Sequence, residues 1–242
     1  MTLKGKTIVI TGASQGLGRM LATKVGAIGA KVILVARTKK LLESVHKEII
    51  DNHGLAEYFV CDIRNLAEVK NTVQGILAQN NGVDILVNNA GVWTDDNLEK
   101  TNPDLRKAAL ETNALGHIQF TKELLPHFES KNTGHIFNVI STSGVGDIQA
   151  GDNSLWRTYG ASKWAMTGFT KALKDSLKDS KIKVTGFFPG GFESNLYENA
   201  GRDNPHNQPW MMKTEDVTDI VVFALTRPDD VVMEKIVVTK IM

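Results

Sequence analysis

The chain has 242 residues, which at roughly 150 residues per domain is enough for one large domain or two small ones, each with a real core. Its 28 Lys plus Arg against 27 Asp plus Glu leave a net charge of +1, which excludes a sequence-wide pull toward nucleic acid or an acidic membrane. The longest uninterrupted apolar run, Ile220 to Leu225, has six residues, Lys4 and Lys6 precede no signal-like stretch, and Cys61 is the lone cysteine. A soluble cytoplasmic protein without membrane spans, disulfides or a Cys-rich metal site is expected.

Short β-branched-rich runs recur at Ile8 to Ile10, Val32 to Val35, Tyr58 to Val60, Ile85 to Val87, Ile136 to Ile140, Val184 to Phe188 and Ile236 to Val238. They do not alternate with polar residues, the pattern of parallel strands buried on both faces. Between them lie segments of helical apolar spacing, such as Leu66, Val69, Val73, Ile76 and Leu77, then Val217, Ile220, Val221, Ala224 and Leu225. Strand and helix alternate from end to end without a linker or repeat, which predicts one α/β domain with a doubly wound parallel sheet of about seven strands and helices on both faces. The stretch 192–213 holds Pro205 and Pro209 and little periodicity, and is expected to be a long functional loop.

The first strand runs into Thr11-Gly12-Ala13-Ser14-Gln15-Gly16-Leu17-Gly18 and then a helix with Leu17, Met20, Leu21 and Val25 on its apolar face. Glycines there let the backbone turn tightly and a pyrophosphate approach the N–H groups at the helix N-terminus. No Gly-Lys-Ser/Thr follows, which disfavours a nucleoside triphosphate. After the second strand comes Ala36-Arg37-Thr38-Lys39-Lys40 with no acid before Glu43. A base in place of the acid that grips a ribose 2′-hydroxyl points to NADP(H), with Arg37 on the 2′-phosphate and Ser14 or Thr38 assisting. Lys39 and Lys40 read as a solvated helix start.

Tyr159 and Lys163 stand four apart on one predicted helix face, where a nearby ammonium is expected to lower the phenol pKa toward neutrality so that the hydroxyl exchanges a proton with a carbonyl or carbinol oxygen. Upstream, Asn138-Val139-Ile140-Ser141-Thr142-Ser143-Gly144 puts a hydroxyl at a strand's C-terminal end, the ligand-binding edge of such sheets.

Together with Asn88-Asn89-Ala90-Gly91 and Pro189-Gly190, these motifs resemble, in order and over essentially the full chain, the short-chain dehydrogenase/reductase family with its Rossmann-like fold. The resemblance implies an oxidoreductase in which Tyr159 is the acid in reduction, Ser141 holds the carbonyl oxygen, Lys163 binds the nicotinamide ribose and lowers the Tyr pKa, and Asn113 supports a proton relay. It further implies that Asp62 and Ile63 hold the adenine end, that Asn89, Ala90 and Gly91 line the central cofactor cleft, and that Pro189, Gly190, Phe192 and Ser194 flank it, Ser194 standing where relatives usually have Thr.

Seventeen residues separate Ser141 from Tyr159, more than in many relatives, and Ser143 remains a rival to Ser141. The chain stops at Val238-Thr239-Lys240-Ile241-Met242 without the family's tetramer-contact tail, so a homodimer through the helices near 103–130 and 158–178 is favoured over a homotetramer. Trp93, Trp156 and Trp210 fall in loops around the expected reacting centre and, with Phe192, Tyr197, Met211 and Met212, predict an apolar pocket for an aromatic or alicyclic ketone or aldehyde. Trp164 is assigned to packing, Cys61 to a buried small hydrophobe, and Arg157 and Arg202 are candidates for a substrate carboxylate. The six histidines form no ligand pattern, so no metal is expected. The rival readings are a 3-oxoacyl thioester reductase, a short-chain 3-hydroxy acid dehydrogenase and an NADP-binding redox sensor.

Overall fold

The computed structural model describes residues 2–94, 102–146, 157–198 and 208–241. In chain order these form β1 (Thr7–Thr11), α1 (Gly16–Ala27), β2 (Lys31–Ala36), α2 (Lys39–Asp51), β3 (Leu55–Val60), α3 (Leu66–Gln79), β4 (Ile85–Asn88) and α4 (Pro103–Leu110). A π-helical turn (Glu111–Leu115) joins α4 to α5 (Gly116–Lys131); then come β5 (Gly134–Val139), a 3₁₀ turn (Thr142–Gly144), α6 (Arg157–Ser176), β6 (Ile182–Pro189), α7 (Thr214–Leu225) and β7 (Lys235–Val238). The strands make one seven-stranded sheet in the order β3-β2-β1-β4-β5-β6-β7, every pairing parallel. This is the doubly wound architecture that the alternation predicts.

Successive side chains of the central strands enter different cores. Ile8, Ile10, Val32, Leu34, Ile85 and Val87 pack with Leu17, Leu21, Val25, Leu42, Val45, Ile49, Val217 and Val221 on the face covered by α1, α2 and α7. Val9, Ile33, Val35, Leu86 and Ile136 pack with Val69, Val73, Ile76, Phe120, Leu124, Phe128 and Leu173 on the face covered by α3, α5 and α6. Both faces need apolar residues, which is why the central strands show no alternation in sequence. The edge strands depart from that expectation: β3 is half-exposed throughout, with Leu55 and Val60 in solvent, because it pairs on one side only.

Polar residues enter the core where the strands end. Asn88 and Asn138, both fully buried, lie opposite each other in the β4–β5 register. Asn88 Nδ2 donates to Asn138 Oδ1 at 2.8 Å and to Thr121 Oγ1 on α5 at 2.9 Å, and Asn138 Nδ2 donates to Thr170 Oγ1 on α6 at 2.8 Å. These bonds fix both helices against the sheet beneath the ligand edge. At the other end of β5, His135 is buried with Nε2 2.8 Å from Thr185 Oγ1, and burial first, then Lys183, pushes its pKa down to about 3. No described helix is long and apolar enough to cross a membrane.

The native His135 refuses a proton that the unfolded chain accepts below about 6.5, so its contribution is complete above that pH and is lost as pH falls toward about 3. The slope is about 1.4 kcal/mol per pH unit for such a ring. Thermal unfolding followed from pH 7 to pH 5 is expected to show a smaller loss of Tm in His135→Gln than in the unsubstituted protein; equal losses would count against a buried neutral ring.

Candidate active site

The C-terminal ends of the strands open into one cleft of about 400 Å³. Its floor is the loop from β1 into α1. Gly12 has φ +66° and a Cβ there would lie 2.7 Å from Ala90 Cα, so only glycine lets this loop meet the one after β4. Thr11 Oγ1 accepts from Asn89 N at 3.0 Å and Ala90 N at 3.1 Å, and Asn89 Nδ2 donates to Thr11 O at 3.0 Å, tying those two loops together. Gly16, with φ +53°, turns the chain into α1, whose N-terminus has no side-chain cap from Gln15. Its first N–H groups are an anion site by construction. Ser14, Gln15, Gly16 and Leu17 line the cleft; Gly18 does not, contrary to its grouping with the ligand-contacting residues. Instead a Cβ at Gly18 would fall 2.3 Å from Gly12 O, so this glycine serves close packing of helix on loop.

Arg37 and Thr38 line the cleft beyond β2, and both are exposed. No hydrogen bond or ion pair among the described residues engages the Arg37 guanidinium, whereas the neighbouring Lys39 lies 3.7 Å from Glu43. Asp62 and Ile63 form the adjacent wall. Arg64 clamps the Asp62 carboxylate and holds it below the usual carboxylate range, with burial opposing and Arg37 adding a weaker pull. Cys61 is buried beside them, its thiol pushed up by that burial.

At the other end of the cleft stand Ser141, Tyr159 and Lys163. The Ser141 hydroxyl is a hydrogen-bond partner of the Tyr159 phenol and accepts from Ser143 N at 3.1 Å. Ser143 itself does not line the cleft; its Oγ is buried without a partner among the described residues. Lys163 is 4% exposed, and its Nζ lies 5.6 Å from the Tyr159 ring centroid and 3.5 Å from Val139 O. Burial lowers Lys163 to about 8. The expected fall of the phenol toward neutrality is not met: burial drives Tyr159 up to about 12, the Ser141 bond opposing and Tyr197 adding to the rise.

Asn113 lies behind the cleft wall rather than in it. Its Oδ1 accepts from Val92 N and its Nδ2 donates to Val92 O, both at 2.8 Å, and Nδ2 also donates to Ser162 Oγ at 3.0 Å. Ser162 Oγ donates in turn to Tyr159 O at 2.6 Å. The π-helical turn directs Asn113 inward, an irregularity concentrated at functional sites that apolar periodicity does not reveal. Val92, Thr112 and Leu196 also line the cleft without a motif to mark them.

Pro189, Gly190, Phe192 and Ser194 line the cleft after β6. The segment 192–213 is closed at its base by a parallel bridge between Phe192 and Met212, with Met212 N donating to Gly191 O at 3.0 Å and Glu193 N to Met212 O at 3.0 Å. Trp93 and Tyr197 meet on the cleft wall with ring centroids 4.9 Å apart and planes tilted by 48°, and the Trp93 indole nitrogen is buried without an acceptor among the described residues. Trp210 is a correction to the expected pocket: it does not line the cleft, is 38% exposed, and lies over Gly191, where a Cβ would come within 2.3 Å of its ring. Met211 and Met212 are likewise buried away from the cleft. Trp164, assigned to packing, is 49% exposed on α6 and lays its ring beside Gly146, where a Cβ would come within 3.3 Å of it. Trp156, Arg202 and the Arg157 side chain lie outside the described residues.

A family model described as short chain dehydrogenase matches residues 6–205. The chain therefore belongs to the short-chain dehydrogenase family of oxidoreductases. Among its relatives, an NADP-dependent 3-hydroxy acid dehydrogenase of Schizosaccharomyces pombe is 30% identical, over 96% of this chain and 91% of its own. The crystal structure of a metagenomic short-chain oxidoreductase in complex with NADP superposes with a TM-score of 0.81 at 28% identity over 98% of both chains. In fold alone, an alcohol dehydrogenase from Thermococcus sibiricus agrees with a TM-score of 0.86 at 22% identity, covering 98% of this chain and 97% of that one.

Substituting Gly18→Ala inserts a methyl into backbone and is expected to destabilise the fold by about 1–3 kcal/mol. Denaturant unfolding measures this; an unchanged midpoint would contradict the close approach of α1 to the glycine loop.

Proposed function

We propose that the protein is an NADP(H)-dependent carbonyl reductase or alcohol dehydrogenase acting on an apolar or aromatic ketone or aldehyde and the matching secondary alcohol. The observation that carries this reading is the Ser141–Tyr159 oxygen pair, backed by buried Lys163, facing the uncapped N-terminus of α1 within one cleft. NADP(H), when bound, supplies or accepts the hydride. The residues fit it: Gly12 leaves the floor open, the α1 N-terminus and Ser14 would receive a pyrophosphate, Arg37 with Thr38 would receive a 2′-phosphate, and Asp62 and Ile63 would flank the adenine. Asn89, Ala90, Gly91, Pro189, Gly190, Phe192 and Ser194 line the cleft where its central and nicotinamide portions would lie, and Lys163 would hold the nicotinamide ribose.

Ser141 donates a hydrogen bond to the substrate oxygen and Tyr159 gives that oxygen its proton. A phenol at about 12 is fully protonated over the working range, which suits the acid in the reductive direction. The Lys163 ammonium stabilises the phenolate left behind, so reduction weakens above about pH 8 as Lys163 loses its proton. Asn113 is a positioning residue, holding Val92 on one side and, through Ser162, the Tyr159 backbone on the other.

Trp93, Tyr197 and Phe192 supply the apolar wall for the substrate. The similarity to a 3-hydroxy acid dehydrogenase favours, as second reading, a 3-hydroxy or 3-oxo acid substrate. We further infer a cytoplasmic homodimer: Leu105, Leu115 and Trp164 expose apolar surface on the adjoining α4, π turn and α6.

Direct binding of NADPH and NADH to the unsubstituted protein and to Arg37→Gln tests the cofactor assignment. The unsubstituted protein is expected to prefer NADPH, and the substitution to weaken NADPH roughly tenfold to a hundredfold while sparing NADH. Equal affinities for the two dinucleotides before substitution would overturn it.

A further inference from the structure

His117 is a buried titratable side chain that the mechanism above leaves unused. It is 0% exposed, and neither ring nitrogen has a hydrogen-bond partner among the described residues. An imidazole in that state leaves one donor and one acceptor unmet, which native interiors rarely permit.

Its place on the helix shows what surrounds it. Asn113, His117 and Thr121 are spaced by four along the π turn and α5, and all three are buried. Asn113 bonds Ser162 on α6, next in sequence to Lys163, while Thr121 bonds Asn88 on β4. His117 therefore sits between a contact with the Tyr159–Lys163 helix and a contact with the sheet. A Cβ built on Gly91 would lie 3.6 Å from Asn113 Oδ1 and 3.9 Å from Lys163 Nζ, so the ammonium approaches this same helix face.

Unmet groups with complementary needs flank this helix face. Lys163 Nζ has three donors and, among the described residues, one long hydrogen bond, to Val139 O at 3.5 Å. Asn88 spends both amide hydrogens on Thr121 and Asn138 and leaves Oδ1 without a donor among the described residues. Resting on the reading given under Proposed function, we propose that ordered water links Lys163 Nζ to one nitrogen of neutral His117 and the other nitrogen to Asn88 Oδ1, making His117 the residue that positions the Lys163 ammonium and keeps it charged. Each unmet donor then meets an unmet acceptor, and buried water serves such sites. Lys163 is the charged group that acts on His117, and together with burial, the larger cause, it holds the imidazole neutral, at about 3. The ring thus remains an acceptor throughout the range in which Lys163 carries its charge.

Removing that acceptor leaves the ammonium less supported. His117→Leu is expected to move the alkaline fall in kcat/KM for ketone reduction about one pH unit lower, a tenfold loss on that limb, with rates near pH 6 changed much less. His117→Gln, which keeps a donor and an acceptor, is expected to restore the limb to within a factor of about three. An alkaline limb unmoved by His117→Leu, or moved equally by His117→Gln, would overturn the proposal. A high-resolution crystal structure of the unsubstituted protein reads the same link without activity: water on both imidazole nitrogens supports it, and a dry ring refutes it. Failure of the unsubstituted protein to reduce any ketone would instead strike the carbonyl-reductase reading, leaving the crystal structure to decide the link.

Discussion

A single buried amide, Asn113, connects the two halves of the cleft. Its side chain closes a two-bond ring with the Val92 backbone on the strand-end side and reaches Ser162 on the helix side, from which a further bond runs to the Tyr159 carbonyl. With its carboxamide engaged three ways, neither the segment after Asn89-Ala90-Gly91 nor the first turn of α6 shifts without breaking a buried bond. Such bonds are costly to leave unmade. The π-helical turn is the backbone irregularity that makes this reach possible.

Below this connection the sheet supplies a rigid platform. The Asn88–Asn138 pair fastens α5 and α6 through Thr121 and Thr170, so the π turn that carries Asn113 into α5 and the helix that carries Lys163 share a common anchor. Burial then sets the electrostatics. The same low-dielectric surroundings raise the phenol of Tyr159 and lower the ammonium of Lys163, moving them in the directions that keep each neutral. Whatever keeps Lys163 charged beside Tyr159 is therefore part of the chemistry, and this gives the interior polar face of α5 its importance.

The architecture was legible because a parallel sheet covered on both faces must write apolar runs, and the central strands do so. The edge strand β3 escaped that reading, since half-exposure is a property of its neighbours and not of Leu55 to Val60 themselves. Gly12 and Gly16 were readable as loop glycines from strand-loop-helix context, whereas the packing role of Gly18 depends on where Gly12 O lies in space. Ser141, Tyr159 and Lys163 were marked by motif, and the structure brings them to one wall. Trp210 misled because nearness in a loop is no guide to which side of that loop a ring occupies, and the Phe192–Met212 bridge sends it over Gly191 instead. His117 carried no sequence signal at all; its interest comes from two buried nitrogens unmet among the described residues, on a ring that feels the Lys163 charge.

The claim on which the rest depends is that Tyr159 hands a proton to a carbonyl oxygen in this cleft. Ketone reduction with NADPH, measured alongside NADPH binding in Tyr159→Phe, tests it most directly. The account predicts that the substitution lowers kcat by roughly a hundredfold or more while the dinucleotide still binds within a few-fold of its original affinity. A variant that reduces the ketone as fast as the unsubstituted protein would contradict it.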